Sequence, residues 1–248
     1  MKRLALQLLF ALLLTICLPD RSFAGPATAS PVVVLRAQAR TALDDLRRAN
    51  GSSLSVHWPV YRATPTMVRG LALALPGKDL AARARSFFAR YPALVASSAE
   101  LALASPRGTR TRRVLRFRQT YRGLPVLGAQ VSVSFDSAGR IRALHSKAAR
   151  VSLASTTPAL TAAQALALVY RKIGAAPPSA RVIARVVPTL AVLPQPGGKA
   201  RLVYAVTPPM EVNPLGLAHT VDARSGAHLG AHRAVLFHAA RHRQGVRR

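Results

Sequence analysis

The sequence predicts an α+β fold made of two small units, each an antiparallel sheet with a helix packed on one face. In the first unit, a helical pattern behind Asp79 is followed by strict alternation of apolar and polar residues from Ala129 to Phe135. In the second unit, a capped helix that starts at Thr161 precedes several strand patterns. Because a helix followed by antiparallel strands forms two layers, we expect a boundary between the units near residues 152–158.

The first unit begins with two predicted helices and a strand between them. Val32–Arg48 mixes apolar and basic residues and predicts a helix that ends at Asn50-Gly51. A strand is expected at Thr66–Leu75. Asp79 is a favourable N-cap for the second helix, because its carboxylate can accept hydrogen bonds from the free amides of the first turn. The apolar stripe of that helix has helical spacing and consists of Leu80, Ala84, Phe87, Phe88 and Tyr91.

The strongest strand patterns of the first unit follow a basic loop expected at Ser105–Arg113. The next strand has its apolar side chains on one side, and these are Leu115, Phe117 and Tyr121. Gly123–Gly128 is expected to be a turn in which the two glycines let the backbone reverse around Pro125. After the alternating strand, the turn Asp136–Gly139 predicts a partner strand at Arg140–Leu144.

The second unit begins with a helix that has sequence signals at both ends. Thr161 and Gln164 form a capping box, and Gly174 marks the end of the helix. Three strands are expected after it, at Arg181–Leu193, Arg201–Val206 and Leu217–Asp222. The remaining residues, 231–248, are expected to form a basic, flexible tail.

The charge of the chain is strongly one-sided. It has 36 Lys and Arg against 8 Asp and Glu, a formal net charge of +28 at pH 7. So few carboxylates disfavour a carboxylate-rich metal cage and a hydrolase that uses paired carboxylates. The chain has one cysteine, Cys17, which lies before the predicted units, so they have neither a disulfide nor a catalytic thiolate.

Residues 1–24 have the features of a signal peptide. A short basic start precedes the apolar run Leu4–Leu18, and Ser22-Phe23-Ala24 resembles a cleavage site, which places cleavage between Ala24 and Gly25. The protein is therefore predicted to be secreted or periplasmic, with no stable membrane span after the signal is removed. Acylation of Cys17 is the alternative, but Ile16 is not the small residue that a lipoprotein signal requires at that position.

The stretch Arg116–Ala129 reads RFRQTYRGLPVLGA. It resembles the R-F-x-Q-x-Y-x-G-(apolar)-P-V-x-G pattern of the fungalysin/thermolysin propeptide (FTP) domain, found in precursors of secreted zinc metalloproteases. The residues that match this pattern include Phe117, Gln119, Tyr121, Gly123, Pro125, Val126 and Gly128. The Phe87-Phe88 helix and the turn at residues 136–139 occur in the order that the family has. This resemblance assigns residues 25–152 to an FTP-like domain.

The second unit resembles a PepSY-type domain. The helix start L-T-x-x-x-A of that domain is found at Leu160–Ala165, and its strand pattern L-x-Y-x-V contains Tyr204. Its closing turn V-D-A-x-[ST]-G is found at residues 221–226, with Asp222 and Gly226 at the two matching positions. This resemblance assigns residues 158–230 to a PepSY-like domain.

The motif residues are expected to be structural and to perform no chemistry. Gln119 lies on the apolar side of its strand, so its amide is expected to satisfy buried backbone groups of the turn at 123–128. Tyr121 and Tyr204 are expected in the core, and Trp58 is the single tryptophan of the chain. No catalytic residue, cofactor site or metal site is predicted from these motifs.

The resemblance implies a secreted, non-catalytic protein that binds a thermolysin-like metalloprotease, assists its folding and/or inhibits it. It would act in trans, or the chain would be a truncated protease precursor. In the family the propeptide precedes a domain with the zinc-binding motif H-E-x-x-H, and no His-Glu dipeptide occurs in this sequence. The sequence therefore predicts a protein that is not an enzyme.

Two histidine pairs have the i, i+4 spacing that can share a metal ion on a helix, His228/His232 and His238/His242. Since arginines surround them and no carboxylate is near in sequence, a solvated basic tail is the preferred interpretation. The resemblance also allows His238 or His242 to approach the zinc of a partner protease.

A second hypothesis is a cationic envelope- or polyanion-binding protein built on the same scaffold. The Arg-rich loop 107–113 and the tail 241–248 would then contact an anionic polymer. The sequence shows no set of exposed aromatic residues for stacking on bases. High salt would abolish polyanion binding, whereas a largely apolar protease interface would survive it.

Overall fold

The computed structural model describes residues 31–51, 53–95, 100–108 and 113–233. Within these ranges the chain forms four α-helices and ten β-strands, which confirms the α+β class. The elements that precede residue 150 are α1 (Pro31–Asn50), β1 (Ser55–His57), β2 (Met67–Leu73), α2 (Leu80–Arg90), β3 (Leu101–Gly108), β4 (Arg113–Tyr121), β5 (Leu124–Phe135) and β6 (Ile141–Ser146). Those that follow are α3 (Ala162–Lys172), α4 (Ala180–Arg185), β7 (Thr189–Pro194), β8 (Ala200–Val206), β9 (Leu217–Asp222) and β10 (His228–Arg233).

The helices α1, α2 and α3 confirm the sequence predictions, and their caps explain where they begin. At the start of α2 the Asp79 carboxylate accepts a hydrogen bond from the Ala82 amide, 2.7 Å away. At the start of α3 the predicted capping box is complete, since the Thr161 hydroxyl accepts from the Gln164 amide and the Gln164 side chain accepts from the Thr161 amide. Gly174 follows α3 with φ of 70°, as a helix C-terminus favours.

The strands pair in the order β1-β2-β6-β5-β7-β8-β9-β10, and β4 and β3 branch off through β5. Every pairing is antiparallel except that between β5 and β7, which is a parallel bridge from Val126 to Val192. Long β5 therefore pairs with β4 along one edge, and along the other edge with β6 through its second half and with β7 through its start. The turn Asp136–Gly139 is confirmed, with Gly139 at φ of 75°.

Two apolar clusters fill the space between sheet and helices. The first joins α1 and α2 to strands β2, β4, β5 and β6, and includes Leu43, Phe87, Phe117 and Val133. The second joins α3 to strands β8 and β9 and includes Leu166. A smaller cluster around Val126, Ala129 and Val192 lies where β5 meets β7. Burying these side chains supplies the main favourable free energy for folding.

The basic loop predicted at Ser105–Arg113 is wrong for residues 105–108, which belong to β3 and pair with β4. Pro106, opposite Leu115 in this strand, is accommodated because β3 pairs on one side only among the described strands. Arg113 already belongs to β4, and residues 109–112 lie outside the described part of the chain.

The strand predicted at Arg181–Leu193 is wrong in its first half. Ser179 caps a short helix there, α4, and its hydroxyl accepts a hydrogen bond from the Val182 amide at 3.4 Å. The strand β7 begins only at Thr189. The flexible tail predicted from residue 231 is also too long, because residues 231–233 extend β10 and pair with β9. Residues 234–248 lie outside the described part of the chain.

Candidate functional site

The hairpin β4–β5 turns more tightly than the sequence predicts. Arg122 and Gly123 form the whole turn, with φ of 50° and 79°, and the paired strand resumes at Leu124. Pro125 lies inside β5 opposite Thr120, so the prediction that the backbone reverses around this proline is wrong. Two consecutive positive φ values match the right-handed twist of the flanking strands, which is why two residues suffice.

Glu100 stabilises this turn from outside the motif. Its carboxylate accepts a hydrogen bond from the Thr120 hydroxyl at 2.8 Å and another from the Gly123 amide at 3.2 Å. The Thr120 hydroxyl, followed by the Gly123 amide, lowers the pKa of Glu100. Sequence reasoning missed this residue, because nothing in the local pattern links a carboxylate to a turn more than twenty positions further along.

Gln119 is fully buried and clamps a distant segment of backbone. Its Nε2 donates to the carbonyl of Ala149 at 2.7 Å, and the amide of Ala149 donates to its Oε1 at 2.9 Å. The side chain therefore satisfies two backbone groups, as a buried amide must. Those groups follow β6 and do not belong to the turn at 123–128, which corrects the predicted partner.

The aromatic residues of the motif differ in burial. Phe117 is fully buried and packs edge-to-face against Phe88 of α2, with ring centroids 5.0 Å apart. Tyr121, which was expected in the core, is only half-buried, and its hydroxyl accepts a hydrogen bond from the Leu153 amide at 3.5 Å. The guanidinium of Arg122 lies 5.3 Å from the centre of the Tyr121 ring, so one face of that ring contacts a cation at the surface.

Gly128 marks the point at which one edge of β5 changes partners, while the other edge pairs with β4 on both sides of it. Beyond Gly128, Val131 pairs with Ser146 of β6, whereas before it Val126 is buried and bridges to Val192 of β7. Gly128 has φ of 71°, which this change of direction requires and which only glycine adopts without strain. The motif thus joins two groups of strands, the first group β1–β6 and the second group β7–β10.

The matched residues of the second unit hold the start of α3 against the turn between β9 and β10. The buried Tyr204 hydroxyl donates to the carbonyl of Leu160 at 3.0 Å. Gly226 has φ of 76°, and a Cβ there would lie 3.1 Å from Leu168 and 3.3 Å from Leu160. Glycine is therefore required at this position both for its backbone conformation and for space.

Asp222 organises the same turn. Its Oδ1 accepts from the amides of Arg224 and Ser225 at 3.0 and 2.9 Å, and Arg201 lies 3.5 Å from its Oδ2. Burial raises the pKa of Asp222, but the two amide hydrogen bonds and the Arg201 charge outweigh this effect and lower it overall. The Asp222 carboxylate thus satisfies backbone amides of this turn, as an N-cap side chain does at the start of a helix.

The histidines of β9 and β10 form a pair that the sequence analysis missed. His219 is buried, and its Nδ1 lies 3.1 Å from Nε2 of His228 across the strand pair. His228 and His232 lie neither on a helix, where their spacing could have shared a metal ion, nor in the basic tail that was the preferred interpretation, because both belong to β10. His238 and His242 lie outside the described residues, as do Cys17, Ala24 and Gly25. Alternation along β9 places His219 on the side of Val221, and that alternation was the signal that could have indicated its burial.

The described residues contain no group of three or more His, Cys, Asp or Glu side chains arranged to hold a metal ion. The motif residues Gln119, Tyr204 and Asp222 each form hydrogen bonds with the protein's own backbone. Such an arrangement fixes the shape of a surface and leaves no activated nucleophile or general base among these residues. It can support recognition of another molecule.

One segment of the chain matches the model of a known protein family. Residues 112–148 match the Fungalysin/Thermolysin Propeptide Motif. The match runs from the start of β4 to just beyond β6, and it contains the turn, the Gln119 clamp and the Gly128 bend. No curated protein matches the chain.

Among solved structures, the Bacillus megaterium YpeB C-terminal domain is similar to this chain at 13% identity and a TM-score of 0.37. That similarity covers 81% of this chain and 96% of the other. Within the described residues, no helix combines the length and the apolar character needed to cross a membrane.

Proposed function

We propose that this protein is a secreted, non-catalytic, propeptide-like protein that binds a thermolysin-like metalloprotease domain, assists its folding and/or inhibits it. It acts in trans or as part of a protease precursor. The observation that supports this function is the propeptide motif at residues 112–148, which falls on the central strands of the sheet. Propeptides of this family are the non-catalytic part of their precursors, which agrees with the structural use of Gln119 and Asp222.

The structure suggests how such a protein recognises its partner. The turn Arg122-Gly123, fixed by Glu100, and the paired strands β7–β10 offer a preformed surface, so little conformational entropy is lost on binding. In this proposal the PepSY-like sheet, β7–β10, docks beside the protease cleft, and the segment after Arg233 lies across the cleft as a poor substrate. Binding to the native-like protease domain stabilises that domain by mass action.

The proposed location is outside the cytoplasm, following the signal peptide expected at residues 1–24. A propeptide-like protein must meet its protease in the compartment where that protease folds. Export together with the protease would satisfy this requirement.

The test is a titration of a thermolysin-like protease from the same organism with the purified protein, following peptide hydrolysis at about 0.15 M and about 0.5 M salt. Slow, saturable inhibition at both salt concentrations is expected, because an apolar interface is screened little. A parallel assay measures how much denatured protease domain regains activity with and without the protein. No inhibition and no recovered activity at high micromolar concentration, with the protein folded, would refute the proposal for that protease.

A truncation after Arg233 separates the two roles. It keeps every described helix and strand, so its circular dichroism and its unfolding midpoint should match those of the full chain. If residues 234–248 lie across the cleft, the truncated protein loses inhibition and keeps the folding activity. If inhibition is unchanged, the inhibitory contact lies in the described part of the chain.

A further inference from the structure

The first group of strands has one face that no described helix covers. Helices α1 and α2 pack on the other face, where they bury one set of alternating side chains, such as Phe117, Val131 and Leu144. The intervening side chains of β4, β5, β6 and β2 therefore point away from this core. They are half-buried or exposed, and they are mostly polar or basic.

The strand register sets these outward residues in rows across the sheet. One row follows the pairs Arg116–Ser132, Ser132–His145 and His145–Met67. The row beside it joins Arg118 to Gln130, whose carbonyl accepts a hydrogen bond from the Lys147 amide at 2.7 Å. On the other side, Ser134 pairs with Ala143, and Ala143 pairs with Arg69. We call Arg69, Arg116, Arg118, His145 and Lys147 the cationic face.

No carboxylate lies in these rows. Arg69, Arg116 and Lys147 are exposed, and none of them takes part in an ion pair with another described residue. Burial, followed by the charges of Lys147, Arg62 and Arg69, lowers the pKa of His145. The lowered pKa of His145 therefore reflects, after burial, the nearby positive charges, among them Lys147 and Arg69 of this face.

We propose that the cationic face binds an acidic polysaccharide. Neighbouring strands lie about 4.8 Å apart and outward residues of one strand about 7 Å apart, so the charges form a shallow array suited to a chain with regularly repeated carboxylates or sulfates. Arginines can bind such groups through paired hydrogen bonds. Ser132, Ser134 and Gln130 stand between the basic side chains and can exchange hydrogen bonds with sugar hydroxyls.

The same rows disfavour two other anionic partners. They contain no Phe, Tyr or Trp on which unpaired bases could stack. Met67 is the one long apolar side chain in the row of Arg116 and His145, which gives little to insert among lipid chains. This inference is independent of the proposed protease partner, since it uses a face remote in sequence from β7–β10.

The test compares three charge-removing substitutions on the face with three elsewhere. The test variant is Arg69→Gln/Arg116→Gln/Lys147→Gln. The matched control, Arg85→Gln/Arg181→Gln/Arg185→Gln, removes the same charge from exposed positions on α2 and α4. Binding to heparin, to polygalacturonate, to duplex DNA and to anionic phospholipid vesicles is measured over a range of salt concentrations by titration calorimetry.

The expected result is that the test variant binds the two polysaccharides at least about tenfold more weakly and shows a smaller salt dependence, while the control changes by less than about threefold. An Arg69→Lys/Arg116→Lys variant keeps the charge but loses the paired hydrogen bonds, so its affinity should lie between those of the natural protein and the test variant. Equal weakening in test and control variants would overturn the proposal, because net charge alone would then explain binding. So would tighter binding to DNA or to vesicles than to either polysaccharide, or no measurable binding to the polysaccharides.

Protease inhibition gives an independent readout on the same variants. The test variant should inhibit as well as the natural protein, because none of its three substituted residues belongs to the proposed protease contact, which consists of the turn Arg122-Gly123, β7–β10 and the segment beyond. Loss of inhibition together with loss of polysaccharide binding would show that the cationic face contacts the protease, and would overturn the assignment of this face to a polysaccharide.

Discussion

Gln119 and Ala149 exchange two hydrogen bonds although they lie thirty residues apart, with the Gln119 side chain donating to and accepting from the same backbone unit. This exchange ties the chain that leaves β6 to the middle of β4. Gln119 is fully buried and Ala149 is partly buried, so the exchange satisfies these polar groups where access of water is restricted.

Replacing Gln119 by Leu should therefore destabilise the protein by about 2–4 kcal/mol, because two backbone groups lose their partners at about 1–3 kcal/mol each. Chemical denaturation with urea gives the midpoint, and an unchanged slope would show that the denatured state is the same. Gln130→Ala on the outward side of β5 is the control and should cost less than about 0.5 kcal/mol. A cost for Gln119→Leu as small as that of the control would contradict the clamp.

Two glycines with nearly equal φ should tolerate alanine to different degrees. At Gly123 an added Cβ would meet nothing within 4 Å, so Gly123→Ala costs only backbone strain, about 1–2 kcal/mol. At Gly226 the same strain is joined by close contacts with Leu168 and Leu160, so Gly226→Ala should cost at least about 1 kcal/mol more. Gly123→Asn should cost less than Gly123→Ala, because asparagine adopts positive φ more readily. Urea midpoints of the three variants establish the order, and equal costs at the two sites would contradict it.

The elements that local signals specify were predictable from sequence, and those that depend on distant partners were not. Asp79 and the pair Thr161/Gln164 predict their helices because each cap is made within one turn. Alternation from Ala129 to Phe135 predicts β5 because one face of that strand is buried. The short helix α4 was missed because none of its residues is buried, so no apolar periodicity reveals it.

The candidate site shows the same division. Gly123 and Gly128 indicated special backbone conformations, but the sequence did not reveal which of them makes the turn and which makes the bend. That distinction depends on the bridge between Val126 and Val192, which lie in separate units of the predicted architecture. The pairing of Glu100 with the turn likewise exists only once β3 lies beside β4.

The bridge at Val126 should make the two groups of strands unfold together. Trp58 is the only tryptophan in the chain, and it packs against the first apolar cluster, so its fluorescence reports on that cluster, whereas far-UV circular dichroism reports on both. We expect the two signals to give the same urea midpoint in the natural protein. In Val126→Asn, an amide without a partner is buried at the junction, and the two midpoints should separate. Separate midpoints in the natural protein would show that the bridge does not couple the two groups.

Protonation of the histidine pair should destabilise the protein in mildly acidic solution. Burial lowers the pKa of His219, and so to a smaller degree do the charges of His228 and His232; burial and the charge of Lys172 lower that of His228. Because both pKa values are lower in the folded protein than in the unfolded chain, the unfolded chain binds more protons below about pH 6.5. Stability is therefore full above that pH and falls as the pH decreases toward the folded pKa values.

The measurement is the urea midpoint between about pH 7.5 and about pH 5, a range above the one in which carboxylates such as Asp222 take up protons. Each excess proton on the unfolded chain contributes a slope of about 1.4 kcal/mol per pH unit. The double variant His219→Leu/His228→Leu should lose most of this slope, and the part that persists should come from His145, whose pKa is also lowered. An undiminished slope in the double variant would assign the pH dependence to other groups.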